Sequence, residues 1–223
     1  MLGRAEYLRE WSGLHSNIDP SSSRFIGPWL RGMYALGYPL ARRSVSPHTV
    51  TVVGVAVAAS ATATTWVAAS AIPGSRLPLL AAVLVLISAT LDGVDGAVAV
   101  VGGTRSRWGY VLDTVADRVS DLMFFVAAYL LGAPAPIVVT IAALTLLQES
   151  ARARAAVVAP SDVGVLTVWE RPSRVITTVV ITGGAGLVPS QTALFATVGS
   201  AVALALAVVG FVQLMVVLFR RLC

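Results

Sequence analysis

The feature that most constrains this chain is a succession of apolar runs. Each is close to the roughly 20 residues that carry a helix across the hydrocarbon core of a bilayer. Pro and Gly break them apart, in IPGSRLP, LLGAPAP and GLVPS. The breaks leave six candidate spans, at 48–70, 77–100, 109–131, 135–158, 172–188 and 192–219. Composition agrees. The 223 residues are 57% hydrophobic and 12% charged, whereas a soluble domain is nearer a quarter charged. The expected fold is all-α and integral to a membrane, with six transmembrane helices. Ser46 and Pro47 give the first span an N-cap followed by Pro at the first helical position.

The first forty-odd residues do not form a span. YLREWSGLHSN and RFIGPWLRGMYALGYPLARR mix Arg with Trp, Leu and Tyr, the make-up of helices that lie in the headgroup plane. A short soluble cap packed on the spans is the alternative. The serine run at 21–23 reads as a turn. No signal-peptide pattern is present, so the first span is expected to be retained. The organisation is thus a cytoplasmic or interfacial amphipathic segment over 1–47 and a six-span domain over 48–223, with no internal repeat.

The formal net charge is +5 and every basic residue is Arg. In a membrane protein such charge marks topology and lipid headgroups, and no nucleic-acid partner is expected. Arg4, Arg9, Arg24, Arg31, Arg42, Arg43, Arg105, Arg107, Arg152, Arg154, Arg171, Arg174, Arg220 and Arg221 all fall on one side of the six-span arrangement. Arg76 alone falls on the other, and Arg118 lies within the third span. The positive-inside rule then puts both termini in the cytoplasm of a multi-pass plasma-membrane protein. The single cysteine, Cys223, can form no internal disulfide and does not fit the prenylation pattern. His15 and His48 are too far apart in the chain to suggest a ligand pair.

Against this background SATLDGVDGAVAVVGG, residues 88–103, stands out. Ionisable residues in membrane-buried segments are costly and usually functional. Asp92 and Asp95 are three apart and share a helical face at the end of the second span. Asp113 and Asp117, four apart, share a face at the start of the third. A tight hairpin would bring the two faces together. Four clustered carboxylates need cations, and hard oxygen ligands suit Mg²⁺, Mn²⁺ or Ca²⁺ better than zinc. Metals with nearby Arg are what a diphosphate requires. Gly93, Gly96 and Gly109 add places where backbone can approach a ligand. The alternative is that some of these Asp cap helices or pair with Arg107 or Arg118.

The pattern resembles the CDP-alcohol phosphotransferase family, whose signature is D-x2-D-G-x2-A-R-x8-G-x3-D-x3-D. Asp92, Asp95, Gly96, Ala99, Gly109, Asp113 and Asp117 all fall in register. Six spans are that family's topology. The resemblance implies that Asp92, Asp95 and Asp113 hold one or two divalent metals, Mg²⁺ or Mn²⁺, on the donor diphosphate, with Asp117 sharing one. It also implies that Asp117 is the general base. Gly96, Ala99 and Gly109 would lie against the nucleotide. The implied reaction transfers a phosphatidyl group from a CDP-linked lipid, CDP-diacylglycerol first, to a polar alcohol, with release of CMP, in phospholipid biosynthesis. A homodimer is also implied. One position departs: the family's Arg after Ala99 is Val100 here. Arg105 or Arg107 in the same connection would supply the missing donor. His48 replaces the Asn usual in the first span.

Downstream, SARARA and WERPSR are similar to the acceptor region of actinobacterial phosphatidylinositol phosphate synthases. This implies that Arg152, Arg154, Arg171 and Arg174 bind the phosphate of an acceptor such as inositol phosphate, although the positive-inside rule alone would also place them here. GGAG at 183–186 suits a close helix contact better than a phosphate loop. The rival functions are a degenerate family member, a divalent-cation transporter and a prenyltransferase acting on Mg-diphosphates. Transporter acids belong near the bilayer midplane, and the prenyltransferases lack the G-x3-D-x3-D register.

Overall fold

The computed structural model describes residues 1–14, 19, 23–24, 26–158 and 166–222. His15, Cys223 and most of the serine run at 21–23 lie outside these. Eight α-helices and no strand occur among the described residues: α1 (Arg4–Leu14), α2 (Ile26–Arg42), α3 (Pro47–Ser70), α4 (Leu77–Val101), α5 (Arg107–Leu130), α6 (Ala135–Val158), α7 (Arg171–Leu187) and α8 (Thr192–Leu222). A 3-10 turn, Pro189–Gln191, precedes α8. Each expected span has its helix, with ends within three residues. Pro47 opens α3, where the Ser-Pro pair placed it.

Among the described residues three stretches are long and apolar enough to cross a membrane: Pro47–Ser70, Leu77–Val101 and Pro189–Leu222. The other three helices of the six-span reading are more polar for a visible reason. Helix α5 carries Asp113, Asp117, Arg118 and Asp121, α6 carries Glu149, Arg152 and Arg154, and α7 carries Arg171 and Arg174. Length and hydropathy therefore identify three spans and leave these three to be argued from where their charges go.

The chain divides into two compact units. The first comprises Met1–Val57 and Ile87–Asp117. Tyr7 of α1 and Leu30 and Met33 of α2 are buried in one apolar cluster with Val94, Val98 and Val101 of α4. Glycine allows the close approach: a Cβ on Gly37 would stand 2.9 Å from the Ala97 Cβ, and one on Gly93 would stand 2.7 Å from the Met33 Sδ. Ser88 donates to the Gly54 carbonyl at 2.9 Å, tying α4 to α3. The α4–α5 connection turns at Gly103, whose φ of 63° is the left-handed conformation that glycine adopts without strain.

The second unit comprises Ala58–Leu86 and Arg118–Cys223. Its core is rich in alanine, including Ala185, Ala196, Ala203 and Ala207, so α7 and α8 pack closely. Trp169 is wholly buried and stacks on Phe125, with ring centroids 6.5 Å apart. Its indole N–H donates to Thr145 Oγ1 at 2.9 Å. Its carbonyl accepts from Gln148 Nε2 at 3.0 Å.

At Gly186 of α7 a Cβ would stand 2.5 Å from the Leu79 backbone nitrogen and 2.7 Å from its Cγ. Backbone cannot move aside as a flexible side chain can. Gly186→Ala is therefore expected to destabilise the protein by about 1–3 kcal/mol through overpacking, read as a lowered midpoint of thermal unfolding in detergent. An unchanged midpoint would refute this packing.

Candidate functional site

In the first unit Asp92 of α4 meets Asp113 and Asp117 of α5. One carboxylate oxygen from each lies within 4.8 Å of the others, and all three residues are half-buried. The i, i+4 spacing on α5 and the turn at Gly103 account for this convergence. Asp95, on the same helix as Asp92, lines the same cleft but is not one of the three. It is 4% exposed, and its Oδ2 accepts a hydrogen bond of 2.5 Å from the Thr51 hydroxyl of α3. Three of the four acids expected at a metal therefore form a triad, and the fourth is fastened to a neighbouring helix.

A cleft of about 900 Å³ runs along the acids and is lined by Asp92, Asp95 and Asp113. Gly96, Ala99, Val100 and Gly109 form part of its wall, and Arg105 and Arg107 part of its rim. Both of these Arg are exposed. A Cβ on Gly96 would meet nothing within 4 Å, so that glycine faces open space. Gly109 differs: a Cβ there would stand 3.1 Å from His48 Nε2 and 3.0 Å from Ser106 Oγ. Its bare Cα makes room for His48, another lining residue. Gly93 makes room for Met33 of α2. Tyr7, Trp11 and Trp29 give the cleft an aromatic side. Burial pushes the Tyr7 phenol up to about 12, so it stays neutral.

The second unit holds a different arrangement. Arg174 of α7 is 1% exposed. It donates to Asp121 Oδ2 at 2.8 Å and to Glu149 Oε1 at 2.8 Å, and to the Trp169 carbonyl at 3.2 Å. Glu149 Oε1 is also 3.1 Å from Arg118 and 3.6 Å from Arg152. Arg152 grips Glu170 with two hydrogen bonds, of 3.1 and 2.7 Å. Glu170 Oε1 accepts in addition from the backbone N–H and hydroxyl of Thr167, each at 2.8 Å. Arg118, Arg152 and Arg174 thus face Asp121, Glu149 and Glu170, and the charge of Arg171 also acts on Asp121. Of the four expected acceptor ligands, Arg152 and Arg174 sit inside this network, Arg154 is exposed and Arg171 is half-buried. Sequence reading missed Asp121, Glu149 and Glu170. A signal for Asp121 was present, since it continues the four-residue register of Asp113 and Asp117.

The family model for CDP-alcohol phosphatidyltransferase matches residues 44–219. An archaetidylinositol phosphate synthase of Aeropyrum pernix is 33% identical over 115 residues, which is 52% of this chain and 55% of that protein. The chain thus spans little more than half of that relative's length. Two crystal structures of phosphatidylinositol phosphate synthase (PgsA1) of Mycobacterium tuberculosis superpose with a TM-score of 0.66. One, with CDP-DAG bound, is 24% identical and covers 85% of this chain and 94% of its own. The other, in complex with manganese and citrate, is 25% identical and covers 84% and 88%.

Asp121 and Arg174 are each 1% exposed, so solvent does little to screen them. Removing Asp121 leaves the buried Arg174 guanidinium with Glu149 as its one remaining ion-pair partner. Asp121→Ala is expected to cost about 3–5 kcal/mol, measured by thermal or denaturant unfolding in detergent. A loss under about 1 kcal/mol, the range of a surface pair, would show that this pair is not buried.

Proposed function

We infer the function from one premise: the chain belongs to the CDP-alcohol phosphatidyltransferase family. We propose that it is a membrane-embedded transferase that moves a phosphatidyl group from a CDP-linked lipid, CDP-diacylglycerol first, to a polar alcohol and releases CMP. The observation that carries this is the triad of Asp92, Asp113 and Asp117 beside a cleft with room for a nucleotide. The residues fit a divalent metal, Mg²⁺ or Mn²⁺. The donors are carboxylate oxygens within 4.8 Å of one another, and two oxygens on one ion about 2.1 Å from each lie within that spacing. A bound metal would offset charge on the donor diphosphate.

The protein's own groups do the rest. Gly96 leaves space against the nucleotide, and Ala99 and Gly109 line the same wall. Arg105 and Arg107 on the rim donate to phosphate oxygens, since Val100 cannot. Asp117 takes the proton from the acceptor hydroxyl. That oxygen forms the new bond to the lipid-side phosphorus, the phosphoanhydride P–O bond breaks and CMP leaves. On the acceptor side the family resemblance points to Arg152, Arg154, Arg171 and Arg174.

The same reading places α3 to α8 across the membrane, with both termini on the cytoplasmic side of the plasma membrane. It is supported by the match of every expected span to a helix and by the one-sided distribution of Arg. Residues 1–47 would form the interfacial segment, with Trp29 and Leu36 exposed on α2 where a headgroup layer would meet them. A homodimer is the assembly that the resemblance implies.

Two measurements check this. Asp92→Asn or Asp113→Asn is expected to abolish CMP release from CDP-diacylglycerol. Chelation should do the same to the parent, with Mg²⁺ or Mn²⁺ restoring it; full turnover by either variant sinks the metal reading. Arg105→Ala or Arg107→Ala should weaken donor binding about tenfold, a modest figure because the rim is wet. Val100→Arg should restore part of it. Unchanged donor Kd in all three would show that the rim does not replace the missing Arg.

A further inference from the structure

We propose that the ring of Tyr110 is the platform on which the pyrimidine base of the donor stacks. The inference deepens the transferase reading above, rests on it, and lies wholly within the first unit.

A nucleotide held at the acid triad has to place its base somewhere along the cleft. The donor is amphipathic: its acyl chains belong in hydrocarbon and its nucleoside in water. The base therefore points away from the apolar length of α4 and toward the connection that carries the exposed Arg105 and Arg107. Ribose separates the diphosphate from the base, which puts the base roughly one helical turn from the acids. Tyr110 stands there. It precedes Asp113 by three residues and Asp117 by seven, so the three share a face of α5, with Tyr110 nearest the connection.

Four Tyr and Trp side chains line the cleft, Tyr7, Trp11, Trp29 and Tyr110. Three of them are engaged otherwise. Tyr7 is 2% exposed and packs on Tyr34, with ring centroids 5.5 Å apart. Trp11 is packed, partly buried, against the same apolar cluster. Trp29 lies over Gly93, where a Cβ would stand 3.3 Å from its Cζ2. That puts it next to Asp92, level with the acids and not beyond them. Tyr110 is 77% exposed, so most of its surface is open to a ligand.

The backbone beneath that ring is fixed. Ser106 caps the start of α5. Its hydroxyl accepts from the Gly109 N–H at 2.9 Å, and its carbonyl accepts from the Tyr110 N–H at 3.1 Å. The Thr114 hydroxyl donates to the Tyr110 carbonyl at 2.8 Å. A ring on so fixed a base loses little freedom when a ligand lands on it. Stacking needs only a π face, so it adds affinity for a nucleoside without choosing the base. An exposed Tyr at a helix start also suits the aromatic belt at a membrane interface. Trp108 separates the two roles. It is 64% exposed at the same end of α5, yet it is not among the residues that line the cleft. A belt uses both rings, and a nucleotide platform uses Tyr110 alone.

The test is titration of the full chain in detergent with Mn²⁺ present, once with CDP and once with inorganic diphosphate. Both carry the diphosphate, and only CDP carries a base. Tyr110→Ala is expected to raise the Kd for CDP about tenfold, within the range that base stacking supplies, and to leave the Kd for diphosphate unchanged. Tyr110→Phe, which keeps the ring, and Trp108→Ala should bind CDP as the parent does. The platform is overturned by an unchanged CDP Kd in Tyr110→Ala, or by an equal loss for diphosphate. It is also overturned by an equal loss in Trp108→Ala, or in Tyr110→Phe, which would assign the hydroxyl in place of the ring. A parent that binds diphosphate but not CDP overturns it as well. All of these leave the metal and the acid triad standing. A parent that binds neither ligand removes the transferase reading, and the platform with it.

Discussion

A guanidinium can be taken out of water inside an apolar bundle only if its charge is matched where it stands. That constraint shapes the second unit. Arg174 is buried because Asp121 and Glu149 each receive one of its amino groups at 2.8 Å. Each carboxylate comes from a different helix, α5 and α6, so the ion pairs also fix how those helices meet α7. The Trp169 carbonyl accepts from the same guanidinium, and Trp169 in turn stacks on Phe125. Core and charge network are therefore one construction. A polar α5 or α7 would be a poor membrane span if its charges faced lipid; charges that answer one another inside the unit remove that objection.

The helices were legible in the sequence because apolar runs and Pro/Gly breaks are local signals. The span expected over 109–131 became Arg107–Leu130, and that over 192–219 became Thr192–Leu222. The acid triad was legible too, since spacings of three and four fix a helical face whatever surrounds it. The ion partners were not. Glu149 directly precedes SARARA in the chain, yet nothing local says that it turns toward Arg118 and Arg174, 31 residues before it and 25 after it. Charge pairing between helices depends on packing, which one-dimensional spacing does not encode. The glycines divide the same way. Gly96 faces open space, while Gly93 and Gly109 answer to Met33 and His48.

Regular spacing in a motif does not give its members equal work. Asp92 and Asp95 share a helical face by spacing, and a reading from the sequence gives both the same role. Their surroundings separate them. The Thr51 hydroxyl lies 2.5 Å from Asp95 and 3.1 Å from the Pro47 carbonyl. It has a single hydrogen to give, and the shorter contact to a carboxylate is the stronger claim on it. Asp95 is thereby held to α3 near that helix's start, the region from which His48 reaches Gly109 on α5. Asp92, half-buried on the same helix, stays with Asp113 and Asp117. Asp95 thus ties α4 to α3 through a hydroxyl, and Asp92 meets α5 in the triad. Fixing Asp95 limits how α4 can rotate, and a rotation of α4 would carry Asp92 away from α5. The fourth motif acid can therefore serve the triad without being part of it, by setting the angle at which Asp92 arrives.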